Sequence, residues 1–145
     1  MVIGIFGESC TGKSTLAEKL KAMLNAEVYS GKDYIRLAKN EAESRKLFRQ
    51  KLEEAQNGSH VIYAISEKEQ LPLLPEGAYR VLVTADLEVI KERFAQRMHG
   101  NLPAPVAAML EKKHGCFDAE PCDLHMVSGK DDPETVCSAI CSAVA

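Results

Sequence analysis

The residues whose types and spacing are best suited to chemistry form one short motif, Gly7-Glu8-Ser9-Cys10-Thr11-Gly12-Lys13-Ser14. The glycines of such a motif let successive backbone N–H groups point into one concavity, and a helix that begins at its end adds partial positive charge. Lys13 would bring a full charge to the β- and γ-phosphates, and the Ser14 hydroxyl would ligate Mg²⁺. We therefore predict that this loop, together with Thr15, binds a nucleoside triphosphate with Mg²⁺.

The segments on either side of the motif have the character that a phosphate loop needs. Val2–Phe6 is apolar on both faces, as a central parallel strand should be. After the loop, apolar residues recur at helical spacing and predict a buried stripe formed by Leu16, Ala17, Leu20, Met23 and Leu24. Because a strand leads in and an amphipathic helix leads out, a glycine-rich turn with a chance lysine is the weaker interpretation.

Further along the chain, apolar runs alternate with helix-period stretches, a pattern typical of an α/β domain with a parallel sheet. The additional strands are predicted at Glu27–Tyr29, His60–Ile65, Tyr79–Thr84 and Leu124–Ser128. Helices are predicted at Tyr34–Gln56 with a break near Asn40, at Leu87–Met98, at Pro105–His114 and from Asp132 onward, with a loop at Leu71–Gly77. Leu37, Leu47, Phe48 and Leu52 are expected to face inward.

Composition sets limits on the class of protein. A chain of 145 residues with 46% hydrophobic content suits one domain, 1–145, with a single core. The net charge of −3 argues against a general nucleic-acid binder, and the absence of a long apolar run argues against a membrane span. The first residues lack the features of a signal peptide, so we expect a cytoplasmic monomer or homodimer with reduced cysteines.

Two weaker features accompany the phosphate loop. Val81–Asp86 leads into Ile90-x-x-Arg93-x-x-x-Arg97, and Asp123–Ser128 is followed by Gly129-Lys130-Asp131. With these features the chain resembles the small-molecule and nucleotide kinases of the phosphate-loop class, which include nucleoside-monophosphate, shikimate, gluconate and dephospho-coenzyme A kinases. The resemblance implies a three-layer P-loop NTPase fold, a five-stranded parallel sheet of order 2-3-1-4-5, and a short lid at about residues 98–122.

The resemblance also implies an activity, the transfer of the γ-phosphoryl group of ATP to a small metabolite or nucleotide. Arg93 and Arg97 are four residues apart on a predicted helix and would stabilise the moving group. A solvated basic face paired with nearby glutamates is the alternative. Gly129 and Lys130 would lie along the loop that passes the adenine base.

The acceptor side is less defined by the sequence. Asp33 would take the proton of an attacking hydroxyl or help to hold Mg²⁺, and a helix N-cap is an equal alternative. Arg36 and Lys32 would bind an anionic acceptor, although a surface role for Arg36 is favoured.

The chain departs from the kinase pattern at the end of the third strand. No aspartate occurs there, and Glu67 is the nearest acid that could order Mg²⁺ through water. A nucleotide-binding regulatory protein or a slow NTPase without a phosphoryl acceptor therefore remains the alternative function. The sequence contains no Asn-Lys-x-Asp motif, which favours ATP over GTP.

Four potential zinc ligands lie within twelve residues, namely His114, Cys116, Cys122 and His125. Four such ligands fit a tetrahedral site. Their spacing matches no standard zinc motif, however, and His125 falls in a predicted strand. Unrelated surface histidines and buried thiols are therefore the favoured interpretation.

Overall fold

Five parallel strands lie side by side in one sheet in the computed structural model, which describes residues 1–144. The spatial order is β2-β3-β1-β4-β5, as the sequence predicts. The bounds of the strands are β1 Val2–Phe6, β2 Glu27–Ser30, β3 Val61–Ile65, β4 Tyr79–Thr84 and β5 Leu124–Val127. In this order the central strand, β1, has β3 on one side and β4 on the other, so the loop that follows β1 leaves the middle of the sheet.

The α-helices lie between or after the strands. They are α1 Lys13–Leu24, α2 Glu41–Ala55, α3 Leu87–Arg97, α4 Ala104–Lys113 and α5 Pro133–Val144. The predicted break at Asn40 is confirmed, because the Asn40 side chain caps α2 by accepting a 2.8 Å hydrogen bond from the Glu43 N–H. The segment before it, Asp33–Leu37, is a short 3₁₀ helix rather than part of one long α-helix.

A second 3₁₀ helix, Lys68–Leu73, occupies the beginning of the stretch that we expected to be an irregular loop. Pro72 lies inside it. Proline lacks a backbone N–H and would disrupt a long α-helix, whereas a helix of six residues needs few such donors. The prediction of a loop at Leu71–Gly77 was therefore wrong for its first residues.

Helices cover both faces of the sheet and complete the three layers. Along β1, Val2 and Phe6 join the core under α2, whereas Ile3 and Ile5 join the core under α1 and α5. This alternation follows from the two-residue repeat of a strand. A smaller third cluster joins the phosphate loop to α3 and α4 and contains Cys10, Ala85, Ile90 and Leu110.

Three residues predicted to be buried are exposed instead. Met23 is 49% exposed, and Leu37 and Leu47 are each 41% exposed. Leu47 precedes the buried Phe48 on α2 and lies at the edge of the apolar stripe, since neighbouring residues of an α-helix point about 100° apart. Leu37 lies in the 3₁₀ helix, which does not continue the apolar face of α2.

None of the helices within residues 1–144 is both long enough and apolar enough to cross a membrane.

Gly7 lies where the chain leaves β1, at a very close approach to β4. Its N–H donates to the Ile65 carbonyl at 3.1 Å. A Cβ at this position would come within 2.1 Å of the Val83 carbonyl oxygen, which is a backbone atom and cannot rotate away. Gly12, at the other end of the loop, has φ 100°, a conformation that glycine adopts without strain.

Gly7→Ala should therefore lower the free energy of unfolding by about 3 kcal/mol, the upper range for overpacking a buried position. Gly4→Ala is the matched control, because its Cβ would meet the side-chain end of Leu74, which can shift. Urea unfolding of both variants checks the prediction. Equal losses in the two variants would contradict it.

Candidate active site

Two donors of the phosphate loop converge on one backbone carbonyl. The Lys13 ammonium donates to the Glu8 carbonyl at 2.5 Å, and the Thr11 hydroxyl donates to the same oxygen at 2.8 Å. The Lys13 ammonium also lies 3.5 Å from the Thr11 hydroxyl oxygen. The lysine is therefore folded back across the concave side of the loop, in the place where phosphate oxygens would compete for its protons.

Lys13 is almost completely buried, with 6% of its surface exposed. Burial lowers the pKa of its ammonium group to about 8, and the nearby Arg97 acts in the same direction, while Cys10 and Glu8 oppose it. Loss of hydration disfavours the charged form of a lysine. Bound phosphate would restore the favourable electrostatic environment of the ammonium group.

The loop cleft is a cavity of about 320 Å³ above the carboxyl ends of β1, β2 and β3. Its lining includes Lys13 and Ser14 from the loop, Ser30 after β2, Ser66 after β3, and Arg97 from α3. Among the described residues that line it, no carboxylate is present. Hydroxyl oxygens suit a hard cation such as Mg²⁺, which keeps several waters and takes phosphate oxygens as ligands. Ser14 therefore fits the predicted metal role.

The large cavity, of about 790 Å³, adjoins the loop cleft on the side of β5. The two spaces share Cys10, Gly12, Thr15 and Arg97. The remaining lining residues are Leu16, Arg93, Gln96, Met126, Ser128, Gly129, Lys130, Asp131, Asp132 and Pro133. Gly129 and Lys130 line this cavity together with residues of the phosphate loop and the two arginines, and their contact with a base stays a prediction.

The side cavity, of about 490 Å³, adjoins the loop cleft on the opposite side. It shares Ser9 and Ser66 with the loop cleft. Its other lining residues are Glu8, Glu67, Lys68, Glu69, Phe94, Met109, Leu110, Lys113, Cys116 and Phe117. This cavity was not predicted from the sequence, because its wall combines the loop, the 3₁₀ helix after β3, and residues from α3 to Phe117.

The two predicted arginines have different surroundings. The Arg93 guanidinium donates to the Cys10 carbonyl at 3.0 Å and so ties α3 to the loop. Arg97 lines both the loop cleft and the large cavity. Within residues 1–144, neither arginine forms an ion pair, so the expected alternative of pairing with Glu88 or Glu92 is not realised. Arg97 is therefore the arginine of the pair that reaches the loop cleft.

The Glu8 carboxylate joins the phosphate loop to the end of α4. One oxygen lies 3.1 Å from His114 Nδ1, and the other accepts a 3.2 Å hydrogen bond from the Gly115 N–H. The Glu8 side chain is only 10% exposed. Sequence reasoning placed Glu8 in the loop but missed this contact, because its partners are more than 100 residues away along the chain.

Asp33 holds the turn after β2. Its carboxylate accepts hydrogen bonds from the Ser30 N–H at 2.9 Å and the Ser30 hydroxyl at 3.4 Å. Ser30 and Gly31 line the loop cleft, whereas Asp33 lines none of the three cavities. The structure thus gives Asp33 a role in shaping the cleft, and a role in proton transfer stays a prediction.

The other residues that the sequence suggested for the acceptor and for Mg²⁺ lie apart from the loop cleft. Lys32 is 3.7 Å from Glu41, and Arg36 is exposed at the surface. Glu67 pairs with Lys113 at 3.4 Å and faces the side cavity, so Ser66 is the residue after β3 that borders the cleft.

The four potential zinc ligands are engaged separately. His114 contacts Glu8, and His125 lies 2.7 Å from the Thr84 hydroxyl oxygen. Cys116 packs against the core under α2, whereas Cys122 is exposed. Across residues 1–144, no group of three or more histidine, cysteine, aspartate or glutamate side chains is placed to hold a metal ion.

Comparison with known proteins identifies the fold. No protein-family profile and no curated protein matches the sequence. Among solved structures, an uncharacterized protein from Eubacterium ventriosum is 18% identical, with a TM-score of 0.70 and coverage of 99% of this chain and 98% of that chain. A shikimate kinase from Aquifex aeolicus is 22% identical, with a TM-score of 0.57 and coverage of 99% and 96%.

A gluconokinase from Sinorhizobium meliloti is 13% identical, with a TM-score of 0.60 and coverage of 99% of this chain and 90% of that chain. The chain has the fold of the phosphate-loop kinases. The resemblance seen in the sequence is thereby confirmed at the level of the fold, over almost the full length of both chains.

The lowered pKa of Lys13 predicts the pH dependence of nucleotide binding. Below pH 8 the ammonium group is charged and the affinity should be constant. Above pH 8 binding must return a proton to Lys13, so the dissociation constant should rise by up to about tenfold per pH unit. Calorimetric titration in buffers of different ionisation enthalpy measures the proton uptake. A flat pH profile up to pH 10, or the same slope in Lys13→Met, would contradict this assignment.

Because Arg93 contacts the loop, its replacement should destabilise the protein more than replacement of Arg97 does. Arg93→Ala should lower the free energy of unfolding by about 1–2 kcal/mol, because the Cys10 carbonyl loses a charged hydrogen-bond donor. Arg97→Ala should leave it nearly unchanged. Thermal unfolding of both variants is the measurement, and a reversed order would count against the assignment.

Proposed function

We propose that this protein is a kinase that transfers the γ-phosphoryl group of ATP to a small molecule. The observation that carries the proposal is the position of the loop cleft between two cavities. It shares Arg97 with the large cavity and Ser66 with the side cavity. A protein that only bound or hydrolysed a nucleotide would need a single cavity, whereas transfer to an acceptor needs space on both sides of the phosphate.

The donor nucleotide would occupy the large cavity and the loop cleft. Lys13 and the loop N–H groups would hold the phosphates, Ser14 would hold Mg²⁺, and Gly129 and Lys130 would lie along the base. Bound Mg²⁺ would neutralise charge on the phosphate oxygens. Arg97 would contact the moving group from α3, and Arg93 would keep the Cys10 carbonyl and the loop in position.

The acceptor would occupy the side cavity. Its volume of about 490 Å³ is in the usual range for a small-molecule site. An acceptor hydroxyl would approach the phosphate past Ser9 and Ser66, the two residues that the side cavity and the loop cleft share. Asp33 would reach that hydroxyl only after releasing Ser30, so its part in proton transfer is the least supported of the proposed roles.

Residues 98–122 would act as the lid. Gly100 and Gly115 flank α4, and both have positive φ, a conformation that glycine adopts without strain. Within the lid, Leu110 packs on the Cys10 cluster, so a closed lid would exclude water from the loop cleft.

A slow NTPase or nucleotide sensor is the second candidate. The observation that favours it is the lining of the loop cleft, in which no described residue supplies a carboxylate to order Mg²⁺ through water.

The test is ADP release from ATP and Mg²⁺, measured with and without a panel of hydroxyl-bearing acceptors. One class of acceptor should raise the rate by at least about a hundredfold, since positioning of reactants supplies much of the barrier reduction in phosphoryl transfer. Lys13→Ala should abolish the stimulated rate, whereas Lys21→Ala, an exposed lysine of the same helix, should not. Tight ATP binding with an equal slow rate for every acceptor would favour the second candidate.

A further inference from the structure

We propose that the side cavity selects an acceptor that carries its hydroxyl group on a largely apolar body and bears no anionic group. This inference rests on the proposed kinase function and deepens it by naming the class of acceptor. Three properties of the cavity wall support this inference, namely its apolar surface, its negative charges, and the ion pairs that its lysines form with glutamates.

The wall of the side cavity is mainly apolar. Phe94 from α3, Leu110 from α4, and Phe117 contribute side chains that are partly or wholly withdrawn from solvent. Met109 and Cys116 extend the same surface. Such a surface binds an apolar body by excluding water from both, and gives little to a molecule covered with hydroxyl groups.

The charged residues of the wall disfavour an anion. Three are acidic, Glu8, Glu67 and Glu69, and two are basic, Lys68 and Lys113. Both lysines already have acidic partners, because Lys113 lies 3.4 Å from Glu67 and Lys68 lies 3.3 Å from Glu120. A carboxylate in the cavity would therefore approach Glu69, which forms no ion pair within residues 1–144, or would compete with a glutamate for one of the two half-exposed lysines.

The arginines that could bind an anion lie elsewhere. No arginine is among the described residues that line the side cavity. Arg45 reaches the Glu69 carbonyl at 3.1 Å, but its other terminal nitrogen donates to the Tyr34 hydroxyl at 3.2 Å, so both arms of its guanidinium group are engaged. Arg97 faces the phosphate side.

The acceptor that we propose differs from those named for solved structures of the same fold. Shikimate and gluconate, named in two of those structures, are both polyhydroxylated carboxylates. No arginine is among the described residues that line the side cavity, and its two lysines are already paired with glutamates. The shared fold therefore does not imply a shared acceptor.

The experiment uses two probes that differ by one carboxylate, benzyl alcohol and para-(hydroxymethyl)benzoate. Occupancy is read directly as protection of Cys116 against alkylation, quantified by mass spectrometry of its peptide in the presence of ATP and Mg²⁺. Cys116 lines the cavity, and the exposed Cys122 serves as the internal control in the same sample. ADP release is measured in parallel.

We expect the alcohol to protect Cys116 at a concentration about tenfold lower than the carboxylate does. A difference of this size is expected when the probe carboxylate is brought close to glutamates at a protein surface. Glu69→Arg should reduce this preference severalfold. Glu76→Arg makes the same charge change at an exposed site outside the three cavities and should not. Equal or better protection by the carboxylate would overturn the proposal, as would the absence of protection by either probe.

The two readouts separate the acceptor class from the kinase activity. Protection of Cys116 by the alcohol without any stimulated ADP release supports the charge selection of the cavity and counts against the kinase. Stimulated ADP release by the carboxylate alone supports the kinase and overturns the acceptor class. Stimulation by the alcohol, lost in Lys13→Ala, supports both.

Discussion

The close approach of Gly7 to the Val83 carbonyl oxygen is the constraint on which the rest of the site depends. Because the chain passes so near to β4, it leaves the sheet between β3 and β4 and turns at once into the loop. That path brings the Glu8 carbonyl under the Lys13 ammonium and starts α1 at the end of the concavity. A larger residue at this point would displace the loop, and with it the lysine and the loop residues that line each of the three cavities.

Contacts from both α3 and the end of α4 then fix the loop. Arg93 holds the Cys10 carbonyl from α3, and the Glu8 carboxylate holds His114 and Gly115 at the end of α4. Cys10 has φ 63°, a conformation that costs most residues roughly 1–2 kcal/mol, and its side chain is packed in the third cluster. These contacts compensate for that cost, so the loop shape reflects the tertiary structure as well as its own glycines.

The sequence predicted the features whose signals are local or follow from strand order. The spacing of Gly7, Gly12 and Lys13 predicted the loop, and the kinase resemblance implied the order of the sheet, which the structure confirms. Met23 and Leu47 were wrongly predicted to be buried. An apolar residue at the border of a helical stripe can face either the core or the solvent, and its position in the sequence does not distinguish the two. The Glu8–His114 contact and the side cavity could not be predicted, since they join distant segments that only the folded chain brings together.

The position of α4 between the loop and the side cavity restricts how the proposed acceptor preference could change in descendants of such a protein. Leu110 packs against Cys10, so replacing it would disturb the phosphate loop as well as the side cavity. Met109 and Lys113, four residues apart on α4, line the cavity outside that cluster. Within α4, divergence of the proposed acceptor preference would therefore be concentrated at these two positions, while Leu110 stayed fixed.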